Sequence, residues 1–258
     1  MSAPRWVALG DELYEALRGR WTVAPLSERF PEFGIDEAWL VSGRLLERRL
    51  ADGERVVGKK IGVTSEPVQR MLGVFEPDFG WLTDAMRCER DVPASTRMIQ
   101  PRAEAEIALV LGEDVDEVDA TPERLRAATA SVHAAIEVVD SRIRDWKIRI
   151  ADTVADNASS GMLVVGEGCA PGDLDLAAAE VVCHKNGAPL SRGRGALALG
   201  SPWRSAAWLA RTLAARGERL RAGEIVLTGS LVPLEPVVPG DVIVAVVDGI
   251  GRVEARFV

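Results

Sequence analysis

The sequence predicts a mixed α+β fold, in which an N-terminal helical segment (residues 1–54) precedes a larger domain (residues 55–258) with a sandwich- or roll-like β core. Apolar residues recur at helical spacing in the N-terminal segment. From Arg55 onward, short β-like runs are separated by glycine and proline. These runs do not alternate regularly with helical stretches, which argues against a doubly wound parallel sheet.

Two amphipathic helices are predicted in the N-terminal segment. The first carries leucines at four-residue intervals, and the second places apolar residues on one stripe around Val41. Asp36 suits the N-cap of the second helix, and Gly53 suits its end. The stretch 23–34 between the helices contains two prolines and a glycine, which is typical of a linker.

Helices in the larger domain are predicted where a hydroxyl residue precedes proline. Thr121-Pro122 begins a helix that is expected to run to about His133, and Ser201-Pro202 begins one that is expected to end near Gly217. A loop with a turn at Glu76-Pro77-Asp78 precedes the first of them. Strands are predicted at residues 55–58, 104–111, 136–139, 225–228, 242–247 and 252–257, the last two as a hairpin.

Composition excludes several classes of function. The formal net charge of −8 is opposite to that of a phosphate-binding surface, so no nucleic-acid partner is expected. No apolar run is long enough for a membrane span, and no secretory signal is expected at the N-terminus. Three cysteines without a C-x-x-C pair suit the cytoplasm. Two histidines, His133 and His184, leave little scope for a histidine-rich zinc site.

Two glutamates in the segment PRAEAEIALVL have the most informative spacing. Residues two apart in a strand share a face, so Glu104 and Glu106 project together. A divalent cation would offset their repulsion, and Mg2+ or Mn2+ prefers such oxygen ligands. Spacing alone also allows a solvated strand face. A third acid, Glu137, lies within an apolar strand signal; by itself it suits an edge-strand residue paired with Arg142 or Arg144.

Lys59 and Lys60 are two of just four lysines, against 27 arginines. Adjacent residues of a strand point to opposite faces, so one lysine could be solvated while the other enters a cleft. A lysine beside acids can transfer a proton or hold a carboxylate. Asp78, judged by spacing, is a turn residue.

The stretch Asp156 to Gly161 is dense in small and polar groups. Such a loop can offer amide and hydroxyl donors to a carboxylate, or it can be a simple capping turn. The glycines of residues 193–200 do not follow a strand with dinucleotide-binding spacing, so we interpret them as turns.

Seven segments in order resemble the 2-keto-4-pentenoate hydratase group of the fumarylacetoacetate hydrolase superfamily. The resemblance extends from about Val56 to the C-terminus, and more loosely over the N-terminal helices. The segments are VVGKKIGVTS, LGVFEPDFGWL, PRAEAEIALVL, EVVDSRIRDW, DTVADNASSG, LRAGEIVLTGSL and VPGDVIVAVVDGIGRV.

The resemblance implies the superfamily's mixed β-sandwich roll with a site at its open end. It implies that Glu104, Glu106 and Glu137 hold Mg2+ or Mn2+. Lys60 matches the lysine of the family's K-[IVLM]-G motif and Asp78 the acid of its P-D-F/Y-G stretch, both implied to transfer protons or position substrate. Substrate-lining residues are implied to be Ser160, Thr228, Gly229 and Ser230.

The implied reaction is hydration of 2-hydroxypenta-2,4-dienoate to 4-hydroxy-2-oxopentanoate in aromatic meta-cleavage catabolism. Decarboxylation of 2-oxo-3-hexenedioate (4-oxalocrotonate) uses the same dienolate and is the closest alternative, and hydration of a longer 2-oxo dioic acid is another. A catalytically silent partner subunit is the non-enzymatic alternative, which the complete acid set and Lys60 disfavour. The resemblance also implies a homo-oligomer and allows a complex with another enzyme of the pathway.

Overall fold

The computed structural model describes residues 4–65, 69–70 and 77–258. This part of the chain has an N-terminal helical layer, a large curled sheet and a smaller second sheet. Glu76, which the sequence places in a turn, lies outside the described residues. Within them, no helix is both long and apolar enough to cross a lipid bilayer.

Three helices form the N-terminal layer: α1 (Arg5–Gly19), the short α2 (Leu26–Arg29) and α3 (Ile35–Ala51). The prediction of two amphipathic helices is confirmed, but α3 begins one residue before Asp36, with Gly34 at its N-cap. Asp36 instead lies in the first helical turn, where a carboxylate interacts favourably with the helix dipole.

The large sheet is a roll. Its strands follow the order β2-β1-β10-β5-β6-β7-β3, and β11 also pairs with β5. The edge strands β2 and β3 are joined by a single short 3-10 turn, so one segment of chain connects the two edges. These strands are β1 (Val56–Gly62), β2 (Asp78–Thr83), β3 (Arg87–Cys88), β5 (Arg102–Leu111), β6 (Thr129–Val139), β7 (Ser160–Cys169), β10 (Ile225–Leu227) and β11 (Glu235–Pro236).

The second sheet packs against the outer face of the roll. Its order is β4-β13-β12-β8-β9, and β12 and β13 form the predicted hairpin. Ile107 and Leu109 of the roll lie in one buried cluster with Ala245 and Phe257 of this sheet. The strands are β4 (Asp91–Val92), β8 (Glu180–Lys185), β9 (Ala188–Arg194), β12 (Val242–Val247) and β13 (Gly251–Phe257). Together the two sheets form the mixed β-sandwich roll that the sequence predicts.

Helices that connect or cover the strands in the described residues from Pro77 onward are α4 (Ala94–Arg97), α5 (Pro122–Ala128), α6 (Ile150–Ala155) and α7 (Pro202–Ala214). The prediction of α7 is confirmed. The helix from Thr121 is shorter than predicted, because β6 begins already at Thr129. Pairing of this segment with β5, starting from Thr129 opposite Leu111, overrides its local helical pattern.

The N-terminal helices pack against α6. Leu13 and Val41 share a buried cluster with Ala151 and Val154. In addition, Asp152 of α6 accepts hydrogen bonds from the backbone N–H and the hydroxyl of Ser27, at 3.0 and 2.6 Å. The helical layer is therefore attached to the segment that leads into β7. A domain boundary at residue 54 stays a prediction.

Candidate metal centre

Glu104, Glu106 and Glu137 converge on the inner face of the roll. Glu104 and Glu106 lie on β5, and Glu137 lies directly opposite Glu104 on β6. One carboxylate oxygen from each residue lies within 4.8 Å of the others. All three side chains are buried, and β6 is a central strand between β5 and β7. The edge-strand interpretation of Glu137 is therefore wrong, and Arg142 pairs with Asp156 instead.

The three carboxyl groups have a single cation, Lys60, within ion-pair distance among the described residues. Oε1 of Glu106 and both oxygens of Glu137 have no hydrogen-bond partner within the described part of the chain. Burial raises the pKa of all three groups; for Glu104, burial and then repulsion by Glu137 raise it to about 8. A bound divalent cation would remove this cost. Three carboxylates fit Mg2+ or Mn2+, which prefer oxygen ligands.

Lys60 points from β1 into the same space. Its Nζ lies 3.3 Å from Oε1 of Glu137 and donates a hydrogen bond to the carbonyl of Ala158 at 3.1 Å. Burial alone would lower the pKa of Lys60, but the nearby carboxylates, Glu137 and Asp78 foremost, hold it above its usual value. The carboxylates thus favour the charged form of Lys60, which suits it to an ion pair or to a hydrogen bond with a ligand.

Asp78 is the first residue of β2, not part of a turn, and it lies opposite Gly62. Burial raises the pKa of Asp78, while Lys60 and a hydrogen bond with Thr153 act against the rise. Its Oδ1 has no hydrogen-bond partner among the described residues. A Cβ at Gly62 would lie 2.2 Å from this oxygen and 3.3 Å from Nζ of Lys60, so Gly62 leaves the space between β1 and β2 open for both groups.

The turn Thr228-Gly229-Ser230 covers the acids from the end of β10. The backbone N–H of Gly229 donates to Oε2 of Glu106 at 2.8 Å, and the Thr228 hydroxyl donates to the Ile107 carbonyl at 2.7 Å. The Ser230 hydroxyl acts against part of the rise in the pKa of Glu104. Two features require glycine at position 229: its φ is +107°, and a Cβ would lie 2.4 Å from Thr64.

Residues 157–159 form a left-handed turn beside Lys60. Asn157, Ala158 and Ser159 have φ values of +53°, +51° and +52°. Such a conformation costs a non-glycine residue about 1–2 kcal/mol, so the surroundings must stabilise it. The side chain of Asn157 bonds to both the N–H and the carbonyl of Trp81, at 2.8 and 3.0 Å.

Polar side chains in and next to this turn form hydrogen bonds within the protein, so they are not all free to bind a ligand. The Ser160 hydroxyl donates to the Asn157 carbonyl at 2.7 Å, and the Asn157 amide is taken up by β2. The part of the turn that reaches the acids is the carbonyl of Ala158, which orients Lys60. The predicted polar loop is thus near the site, and its contact with Lys60 runs through a backbone atom that no residue-type pattern would indicate.

Other polar groups lie away from the acids. A cavity of about 470 Å³ lies where the inner strand residues Val110 and Ile225 face Arg221 and His133. It does not include the three glutamates, and the buried layer of Leu82, Ala108, Ala135, Leu163 and Leu227 occupies the inner face between them. His133 bonds there to the Ser131 hydroxyl and the Gly166 carbonyl. We place the candidate site at the acids, because the unpaired polar groups are concentrated there.

Comparison with known proteins identifies relatives over most of the chain. The family model for the fumarylacetoacetate (FAA) hydrolase C-terminal region matches residues 66–258. The chain is 49% identical over 252 residues to 2-hydroxyhexa-2,4-dienoate hydratase of Comamonas testosteroni, which covers 96% of each chain. It is 54% identical over 208 residues to 2-hydroxypent-2,4-dienoate hydratase of Pseudomonas putida, which covers 80% of this chain and 94% of the relative.

The fold is similar to that of a solved decarboxylase. 4-Oxalocrotonate decarboxylase from Pseudomonas putida G7, complexed with magnesium and adipate, superposes with a TM-score of 0.94 at 34% identity. The superposition covers 100% of this chain and 99% of the decarboxylase. The N-terminal helical layer is therefore part of the shared architecture.

Proposed function

The chain belongs to the fumarylacetoacetate hydrolase family, and on that premise we propose that it hydrates 2-hydroxypenta-2,4-dienoate to 4-hydroxy-2-oxopentanoate, in the catabolism of ring-cleaved aromatic compounds. The proposal rests on the buried carboxylate set with its unpaired oxygens beside Lys60 and Asp78. Identities of 49% and 54% to two dienoate hydratases favour this reaction.

Glu104, Glu106 and Glu137 would hold Mg2+ or Mn2+. When bound, such an ion supplies the positive charge that stabilises an enolate developing next to the substrate carboxylate. The backbone N–H of Gly229 orients Glu106 in this set.

Lys60 and Asp78 would move the protons. Hydration requires a proton at C5 and loss of the 2-hydroxyl proton, which gives an α,β-unsaturated ketone, followed by addition of water across C3 and C4. Lys60, whose Nζ lies 3.3 Å from Glu137, is our candidate donor. Asp78, with its unpaired Oδ1, suits the acceptor of a proton from the hydroxyl group or from water. Ser160 and the turn 228–230 would line the substrate end.

Decarboxylation of 2-oxo-3-hexenedioate is the second candidate, favoured by the superposition on 4-oxalocrotonate decarboxylase over the whole chain. Loss of CO2 needs the same stabilised dienolate, so the metal site serves either reaction. Hydration of a longer 2-oxo dioic acid would additionally need a cation for the second carboxylate. A silent partner subunit would have no use for this set of unpaired buried groups.

An ultraviolet assay separates these candidates. The purified chain, loaded with Mn2+, is given 2-hydroxypenta-2,4-dienoate and 2-oxo-3-hexenedioate in parallel, with released CO2 measured in both. We expect loss of the dienoate absorbance, formation of 4-hydroxy-2-oxopentanoate, and no turnover after chelation of the metal. Faster turnover of 2-oxo-3-hexenedioate with stoichiometric CO2 would establish the decarboxylase, and turnover of neither would contradict both.

We further propose that the protein is a cytoplasmic homo-oligomer, which can associate with another enzyme of its pathway. Cys88, Cys169 and Cys183 are free thiols, which suits a reducing compartment. Light scattering coupled to size-exclusion chromatography would test the oligomer, since a mass near 27.8 kDa would identify a monomer.

A further inference from the structure

Arg142 is a fully buried arginine to which the proposed reaction gives no role. Its guanidinium donates to Oδ1 of Asp156 at 2.5 Å, to the Asp140 carbonyl at 2.6 Å and to the Ser160 carbonyl at 2.8 Å. It also donates to the backbone carbonyl of Asp156. Its planar, forked set of donors is thereby directed at the residues on both sides of the left-handed turn.

Asp156 completes the attachment with its second oxygen. Oδ2 accepts hydrogen bonds from the backbone N–H of Arg142 at 3.0 Å and from the hydroxyls of Ser141 and Ser159 at 3.2 and 3.3 Å. The ion pair therefore connects the chain leaving β6 to both ends of the turn. In a buried pair of this kind, loss of one partner leaves the other uncompensated.

The consequence of the turn appears at Lys60. Three successive residues with positive φ direct the Ala158 carbonyl at Nζ of Lys60, and Asn157 fixes the same turn to β2. A right-handed turn between the same end points would direct this carbonyl elsewhere. The position of the ammonium group beside Glu137 thus depends on a backbone conformation that is unfavourable without support.

We propose that Arg142 and Asp156 are positioning residues: their ion pair holds the left-handed turn, and the turn holds the Lys60 ammonium group in place for proton transfer. Among the described residues, neither side chain hydrogen-bonds or ion-pairs with the three glutamates, so we expect the pair to act on Lys60 and not on metal binding. The inference rests on the proposed function to the extent that Lys60 takes part in turnover.

The first test compares Arg142→Lys with Arg49→Lys. Lysine keeps the charge but cannot reproduce the forked donor set. Arg49 is a control from the same neighbourhood: it is also buried, pairs with Glu54 at 2.8 Å and donates to Thr83 at 2.9 Å rather than to the turn. For Arg142→Lys we expect kcat to fall about 10- to 100-fold, with KM and the Mn2+ dissociation constant nearly unchanged. Arg49→Lys should keep the wild-type kcat.

A rescue variant separates positioning from general stability. Glycine adopts positive φ without a Cβ penalty, so Ala158→Gly lowers the need for the ion pair. The double variant Arg142→Lys/Ala158→Gly should therefore regain part of the lost kcat. If Arg142→Lys keeps wild-type kcat, or loses kcat and Mn2+ affinity in equal proportion without any rescue, the proposal is overturned.

A readout that needs no substrate keeps the inference independent of the reaction. The chain has four lysines, so side-chain NMR of isotope-labelled lysine gives four ammonium or ε-methylene signals, and Lys60→Met assigns the one from Lys60. Arg142→Lys adds a fifth signal from position 142, so Lys60→Met in the same background again identifies the Lys60 signal. The Lys60 signal should shift from its wild-type position, and those of Lys59, Lys147 and Lys185 should stay in place. An unmoved Lys60 signal overturns the positioning role. If the wild-type chain hydrates nothing yet this signal moves, the proposed reaction fails and the positioning role stands.

Discussion

Lys59 and Lys60 are neighbours on β1 with opposite surroundings. Lys59 points to the outer face of the roll, where its Nζ lies 2.8 Å from both oxygens of Glu224. The backbone N–H of Arg221 also donates to Glu224, at 3.0 Å. Lys60 points to the inner face, toward four buried acids, several of whose oxygens have no partner within the described residues.

The comparison shows which buried charges have a structural role. On the outer face each charge is matched, so the pair with Glu224 is complete without any ligand. On the inner face acids outnumber the nearby lysine, and an excess of buried carboxylates is too costly to keep for stability alone. Both lysines are 3% exposed, so burial does not distinguish them. What distinguishes them is the acids around Lys60, some of whose oxygens have no hydrogen-bond partner among the described residues.

The largest expected effect is that of removing one inner carboxylate while its outer counterpart serves as control. Glu106→Gln should lower kcat/KM by at least about 10³-fold together with Mn2+ binding, because the ion stabilises the developing charge. Glu224→Gln should keep Mn2+ affinity and turnover in the folded protein. Mn2+ titration by electron paramagnetic resonance and steady-state kinetics measure both. A Glu106→Gln enzyme that remains active in excess chelator would refute the metal assignment.

The second test exchanges the two lysines for methionine. Lys60→Met should reduce kcat about 10²- to 10⁴-fold, as expected for loss of a proton-transfer group. Lys59→Met leaves Glu224 buried and unpaired, which should cost about 3–5 kcal/mol of unfolding free energy with kcat changed little. Denaturant titration beside kinetics separates the two outcomes. Equal losses of activity and stability in both variants would remove the distinction between the faces.

The sequence allowed these lysines to be assigned to opposite faces, and it brought Glu104 and Glu106 together by strand spacing. It could not establish that Lys59 is buried, because its partner Glu224 is distant in sequence and lies at the start of β10. Taken by itself, the segment around Glu137 predicts an edge residue for the same reason: pairing of β6 on both sides is a long-range property. The family motifs indicated the three acids where spacing alone did not.

Contacts made by backbone atoms could not be predicted from the residue types. The carbonyl of Ala158 and the N–H of Gly229 both touch site residues, yet every residue carries these atoms. Positive φ values at Asn157, Ala158 and Ser159 have no glycine to signal them. Arg142 and Asp156 do lie in the matched segments, but their pairing needs the folded turn between β6 and β7.

A third prediction concerns the backbone contact to Glu106. Gly229→Ala places a Cβ 2.4 Å from Thr64, which displaces the N–H that orients the carboxylate. Metal affinity should fall about 10- to 100-fold, as for other groups that orient metal ligands. Gly240→Ala is the matched control, because its φ is also positive, at +97°, with nothing within 4 Å of the added Cβ. Similar metal affinities of the two variants, measured by calorimetry, would contradict the orienting role.

The smallest expected effect is on stability, and it tests the excess of inner acids directly. Without metal, burial and mutual repulsion raise the pKa of Glu104 to about 8, so the folded chain keeps a proton that the unfolded chain releases near pH 4.5. The folded state then binds more protons between these values, and the free energy of unfolding falls as pH rises through this window. From pH 6 to 8 the free energy of unfolding should fall by about 2 kcal/mol. Each kcal/mol corresponds to ~2–4 °C of melting temperature in a protein of this size.

Metal should cancel this loss, since a cation favours the charged carboxylates. Melting curves with a chelator and with Mg2+, recorded at pH 6 and 8, should therefore diverge more at pH 8. Glu137→Gln removes the acid whose repulsion raises the pKa of Glu104, so its chelated form should lose less stability over the same range. If Mg2+ raises the melting temperature equally at both pH values, the inner carboxyl groups are not protonated in the metal-free protein. The contrast with the ion pair of Lys59 and Glu224 would then rest on geometry alone.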